Sequence, residues 1–227
     1  MRVGIKFGRC GMTRFVSHLD VQSMFARALR RTGIAVRYSQ GFNPHIVTSF
    51  ASAMPVGLES RGEYLEFYAE EEIGAKEIET RLGAALPEGF FVVRAGFLPD
   101  PGKKLMALLE EAEYEIGLPA PGKWQNALRE LLSQDACLIT RMKKGRAKQI
   151  DIRPLIREAE TTGSGIRAVL ALSGAQSLGP ALFMEAVARQ AGEAPGGRIL
   201  RTELFTKIDG KRAALEELFL PAPENKV

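Results

Sequence analysis

Apolar and polar positions alternate at the start of the chain. Val3, Ile5 and Phe7 interleave with Arg2, Gly4 and Lys6, the two-residue period of a strand over 2–8. After a glycine-rich turn at 8–11 the period lengthens. Leu19, Met24, Ala28 and Leu29 recur at helical spacing, Ser17 and Asp20 offer N-terminal caps, and Gly33 supplies a stop, so the pattern predicts a helix over about 16–32. Short apolar runs at 34–39, 46–51 and 63–69 read as strands. Gly41-Phe42-Asn43-Pro44, Pro55-Val56-Gly57 and Ser60-Arg61-Gly62 break the chain between them. A helix over 75–86, stopped by Pro87 and Gly89, and a strand over 90–97 complete this first set.

The order then repeats. Leu98-Pro99-Asp100-Pro101-Gly102 is the clearest linker signal, and a short helix over 104–110 follows it. Beyond lie a strand at 112–118, a helix at 122–133, strands at 136–142, 149–152 and 165–173, a helix at 180–191 opening on Pro180, and a strand at 199–207. Each half reads βαβββαβ. The expected fold is therefore α+β: tandem ferredoxin-like units, each an antiparallel sheet with helices on one face. The expected domains are 1–98, a linker 99–110, a second domain 111–220 and a flexible tail 221–227. One larger mixed sheet is the alternative.

Composition narrows the class. Of 227 residues 45% are hydrophobic and 26% charged, enough apolar material for two cores. No apolar run reaches the length of about 18 residues that spans a bilayer, and the N-terminus lacks the apolar region of a secretion signal. Cys10 and Cys137 stand far apart with no ligand-like spacing, which argues against a disulfide framework or zinc ribbon. A cytoplasmic protein without a cofactor is expected. The net charge of +4 is modest, but its distribution is not. Arg141, Lys143, Lys144, Arg146, Lys148, Arg153 and Arg157 crowd one segment against Asp151 alone. Such a run repels itself without an anionic partner, although a plain solvated loop also accounts for it. No nucleophile elbow or phosphate-binding loop is present, and Gly8-Arg9-Cys10-Gly11 lacks dinucleotide-binding spacing.

The densest candidate chemistry lies in the first half. His18 and Asp20 open the first helix, and Arg27, Arg30 and Arg31 follow on it, with Arg27 and Arg31 four apart and so on one face. His45 ends the turn that holds Phe42 and Asn43. Each has a plainer use: helix capping for the His18–Asp20 pair, a hydrogen bond across its turn for His45, a solvated face for the arginines and a buried plug for Phe42. A metal site from Cys10, His18, Asp20 and His45 matches no ligand spacing.

Four segments carry a resemblance. Arg14-Phe15-Val16-Ser17-His18-Leu19-Asp20, then Arg27-Ala28-Leu29-Arg30-Arg31, then Ser39-Gln40-Gly41-Phe42-Asn43-Pro44-His45, then Pro55-Val56-Gly57-Leu58-Glu59-Ser60 with Glu63-Tyr64 closely resemble the radical SAM-linked protein family, a domain of unknown function. Lys144-Gly145-Arg146 and Gln149-Ile150-Asp151-Ile152-Arg153-Pro154 resemble its second half, so the match covers most of the chain. The family occurs as stand-alone chains or as C-terminal extensions of radical SAM proteins. The resemblance implies work beside a radical SAM enzyme, and members are often placed near ribonuclease and ribosomal functions. The chain lacks the CxxxCxxC motif that holds the radical SAM cluster.

Two functions compete. In the preferred one the chain is an accessory protein that binds RNA, a tRNA, rRNA or ribosomal particle, and presents it to the partner enzyme. The contacts would come from Arg27, Arg30, Arg31, Arg37, Phe42, Asn43, Arg141, Lys143, Lys144, Arg146, Lys148 and Arg153. In the other the chain is a metal-independent endoribonuclease, because tandem ferredoxin-like architecture is similar to that of CRISPR repeat-processing endoribonucleases. His18 or His45 would then be the general acid or base. A protein–protein adaptor is a third option.

Overall fold

The computed structural model describes residues 1–143 and 146–221, and for Arg141, Met142, Lys143, Arg146 and Lys148 the backbone alone. The chain is a mixed α/β protein of mostly antiparallel sheet and few helices. In chain order the elements are β1 (Arg2–Arg9), a 3-10 turn (Gly11–Phe15), α1 (His18–Arg31), β2 (Thr48–Phe50), β3 (Glu59–Tyr68), α2 (Ala75–Ala85), β4 (Phe90–Phe97) and α3 (Leu105–Leu108). Then come β5 (Glu111–Gly117), α4 (Gly122–Ser133), β6 (Leu138–Lys143), β7 (Arg146–Asp151), β8 (Ile156–Thr162), β9 (Gly165–Ala171), α5 (Pro180–Ala191), β10 (Arg198–Ile208) and β11 (Lys211–Ala214). Contacts divide the chain into two compact units, one of Met1–Leu109 with the chain from Glu203, the other of Glu110–Thr202.

In the first unit β1 is central, antiparallel to β3 on one side and β4 on the other, while β2 pairs with β3. Val3, Ile5 and Phe7 point to the face that α1 and α2 cover. Helix α1 forms because Ser17 accepts a hydrogen bond from the Asp20 amide and because Val21, Met24, Phe25, Ala28 and Leu29 fall on one stripe, all buried. Burying side chains such as Phe25 and Leu29 contributes roughly 1.5–3 kcal/mol each.

The opposite face of β1 is buried as well. Arg2 pairs with Glu66 and donates to the carbonyls of Pro99 at 2.9 Å and Lys103 at 2.7 Å. Lys6 reaches Glu203 at 2.5 Å and Glu216 at 2.7 Å, and the Tyr64 hydroxyl donates to Glu203 at 2.6 Å. Burial alone would lower the Lys6 pKa, but the two carboxylates outweigh it and the net direction is up. Burial, and then Glu203, raises that of Tyr64. The Phe219 side chain lies so close to Gly4 and Gly96 that a Cβ at either would meet it at 2.5 Å. The basic residues interleaved in the first strand thus face partners and not water, because segments from 98–105 and 215–219 cover them.

In the second unit β9 lies between β5 and β8, and the Arg198–Thr202 part of β10 flanks β5. Helices α4 and α5 pack together. Gly165 in β9 sits opposite Gly117, with a Cβ position only 1.9 Å from the Ile116 carbonyl oxygen, so no other residue fits. Strands β6 and β7 form a separate two-stranded ribbon.

Several elements differ from expectation. The strand expected at 34–39 is reduced to isolated bridges, Val36 with Ala69 and Tyr38 with Ile46. Strand β8 was not foreseen, because Glu158 and Glu160 on an outer strand break its apolar alternation. Strand β11 and the 3-10 turn Leu215–Leu218 lie where only the end of a domain was expected. Among the described residues no helix is long and apolar enough to cross a membrane.

Candidate functional site

Two of the segments that carry the resemblance meet at Arg9. Its guanidinium donates to the carbonyls of Leu58 at 3.1 Å, Val16 at 3.0 Å and Pro55 at 2.7 Å, and the residue is 2% exposed. Nearby, the Gly57 amide donates to the Arg14 carbonyl at 2.7 Å, and Glu59 accepts from the Gly11 amide at 2.9 Å and pairs with Arg14 at 3.4 Å. One buried cation thereby fixes the entry to α1 and the 55–59 loop against the end of β1. Sequence reasoning missed Arg9. The signal was there, since it continues the core-facing row of Val3, Ile5 and Phe7, where a charge has to be paired.

His18 stands beside this knot. Its ring packs edge-on to Phe50 at 5.4 Å, and the Gln22 amide donates to its Nε2 at 3.1 Å. It lines a small cavity with Phe7, Arg9, Val21, Phe50, Ser52, Met54 and Glu63, about 10 Å³ in volume. That is room for at most a single water, and no phosphodiester enters it. Burial lowers the His18 pKa, with the Arg9 charge adding to the effect and Glu63 opposing it, so the ring is neutral at pH 7. Asp20 accepts from the Ser17 hydroxyl at 2.6 Å, completing a helix cap.

His45 has other partners. Its Nδ1 lies 2.8 Å from the Ser39 hydroxyl oxygen, its amide donates to the same oxygen at 3.1 Å, and its carbonyl accepts from the Ser39 amide at 2.8 Å. These bonds close the 39–45 loop at its base. Phe42 at the tip is fully exposed and Asn43 beside it is exposed, so Phe42 is not a buried plug.

The arginines divide by use. Arg31 is exposed and donates to the Ala85 carbonyl at 2.5 Å, tying α1 to the end of α2. Arg37 pairs with Glu70 at 3.2 Å and lies 4.2 Å over the Tyr68 ring. Arg27 and Arg30 are exposed, with no partner among the described residues. In the second unit, Arg153 donates through two nitrogens to the Leu132 carbonyl at 3.1 and 2.9 Å, holding the end of α4.

The ribbon places the remaining cations. Arg141 is paired across it with Lys148, and Lys143 with Arg146. Alternation puts these four positions on one face, in line with Ile139 and Ile150. Ile139 is buried and anchors the base of that row. Lys144 lies outside the described residues.

Among the described residues no group of three or more His, Cys, Asp or Glu side chains is placed to hold a metal ion. Cys10 is exposed, and its amide donates to the Gly89 carbonyl at 2.9 Å. No curated protein matches the chain. A family model described as "Uncharacterized protein conserved in bacteria (DUF2344)" matches residues 2–182, some four-fifths of the sequence, and the chain belongs to that family.

Proposed function

We propose that the protein is an RNA-binding accessory protein, built on two ferredoxin-like units, that holds an RNA for a partner enzyme. The strand orders support the fold: β4-β1-β3 with β2 on β3 in the first unit, and β10-β5-β9-β8 in the second. Such orders favour a pattern in which two βαβ crossovers interleave, with the β6–β7 ribbon read as an insertion in the second. The single observation that carries the function is that ribbon, where two like-charge pairs stand on one face of a two-stranded element. Four basic positions in register on one face of a ribbon suit a phosphate backbone. The radical SAM partner is proposed on the sequence resemblance alone.

The test replaces Arg141, Lys143, Arg146 and Lys148 together by glutamine. Native protein should bind transfer RNA or ribosomal RNA fragments more tightly than duplex DNA, and the variant should lose at least tenfold in affinity. A control removing Lys76, an exposed cation of the first unit that pairs with Glu79, should change little. Equal binding by native protein and the fourfold variant would contradict the proposal. The endoribonuclease reading gains no such support, because His18 faces a cavity too small for a nucleotide and His45 is tied to Ser39.

A further inference from the structure

We propose that the 39–45 loop of the first unit is a stacking site for an unpaired nucleobase, with Phe42 as the platform and the side-chain amides of Gln40 and Asn43 as readers of the base edge. The inference rests on the RNA-binding reading and adds a ligand class to it, single-stranded nucleotides, that the cationic ribbon does not specify.

The loop combines a rigid base with a bare aromatic tip. Three hydrogen bonds between Ser39 and His45 close it, and behind them the Tyr38–Ile46 bridge and the Val47 amide, which donates to the Arg37 carbonyl at 2.9 Å, extend the closure. Gly41 turns the chain at φ 120°, a conformation that side-chain-bearing residues rarely adopt, so the tip geometry is set by backbone. Phe42 projects from this base fully exposed. A platform held this way loses little conformational freedom when a ring stacks on it.

The surroundings select the ligand. Gln40, Gly41, Asn43, Pro44 and His45 are all exposed and none is a large apolar residue. An apolar protein contact would gather several large apolar side chains around its anchor. A single aromatic ring bracketed by amides is instead the composition that stacks a splayed base and hydrogen-bonds its Watson–Crick or Hoogsteen edge. The same unit supplies the exposed cations Arg27 and Arg30 on α1, without partners among the described residues.

Phe42→Trp provides a direct reading. The chain's other tryptophan, Trp124, is 6% exposed in α4, so a fluorescence change on adding RNA reports on position 42. The full-length variant is titrated with a short adenosine oligonucleotide and with an RNA duplex lacking unpaired bases. Saturable quenching by the oligonucleotide and not by the duplex is expected. Phe42→Ala should weaken oligonucleotide binding about tenfold and leave duplex binding unchanged, since one stacked base is worth roughly 1–3 kcal/mol. A silent tryptophan, or unchanged oligonucleotide affinity in Phe42→Ala, while the native protein still binds RNA, overturns the stacking site and leaves the ribbon intact. Failure of the native protein to bind either RNA overturns both.

Discussion

Arg9 shows how a functional-looking segment is also a structural one. Its three carbonyl acceptors belong to the 3-10 turn's exit and the 55–58 loop, so a substitution there is felt at α1 and His18 together. Arg9→Lys keeps the charge but loses the fork that reaches three acceptors. Urea unfolding of this variant should show a loss of about 3 kcal/mol, the magnitude for breaking a buried charge network; a loss below about 1 kcal/mol would refute the knot. His18 offers a pH test. Its folded pKa lies below the ordinary value of 6.5, so the unfolded chain binds the proton more readily. Its contribution is therefore complete above pH 6.5 and is lost as pH falls through the lower folded value. The thermal midpoint of the native protein should fall more between pH 7.5 and 5.5 than that of His18→Gln; parallel declines would count against it. His18 and His45 were legible as distinctive residues, but their separate partners were not. Nothing in the spacing of 18 and 45 tells that one packs on Phe50 and the other on Ser39.

At the scale of elements, helices read well and outer strands read poorly. Helix α4 spans Gly122–Ser133 and α5 Pro180–Ala191, as the apolar stripes and Pro180 predict, because a helix writes its period over a dozen residues. Strand β8 escapes because charge on an outer strand is favourable: Glu160 pairs with Arg167 across to β9 at 2.9 Å. The ribbon was legible as a basic segment, while its register was not, and the register is what sets cation against cation. Lys148→Glu places an acid opposite Arg141 and should raise the thermal midpoint at low salt, by a gain of about 0.2–1 kcal/mol that salt removes. RNA affinity should fall in the same variant. Unchanged stability at low salt would mean that the two positions do not face each other as paired.

For the whole molecule, the mixed α/β class with a mostly antiparallel sheet was legible because strands and helices each write their own apolar period. Return of the chain from Glu203 into the first unit was not. It depends on Lys6 and Tyr64 meeting Glu203, some two hundred and one hundred and forty residues away in sequence, and no local pattern records that. Charge at this scale is close to balanced, +4 over 227 residues, so the proposed RNA binding would depend on local arrangement and not on the net field. The most direct measurement is the salt dependence of RNA binding by native protein and by the variant with Arg141, Lys143, Arg146 and Lys148 replaced by glutamine. The account predicts a steep fall in log affinity with log salt for native protein, and a slope shallower by about 3 for the variant, the loss of four phosphate contacts. Identical slopes, or native binding indifferent to salt, would contradict it.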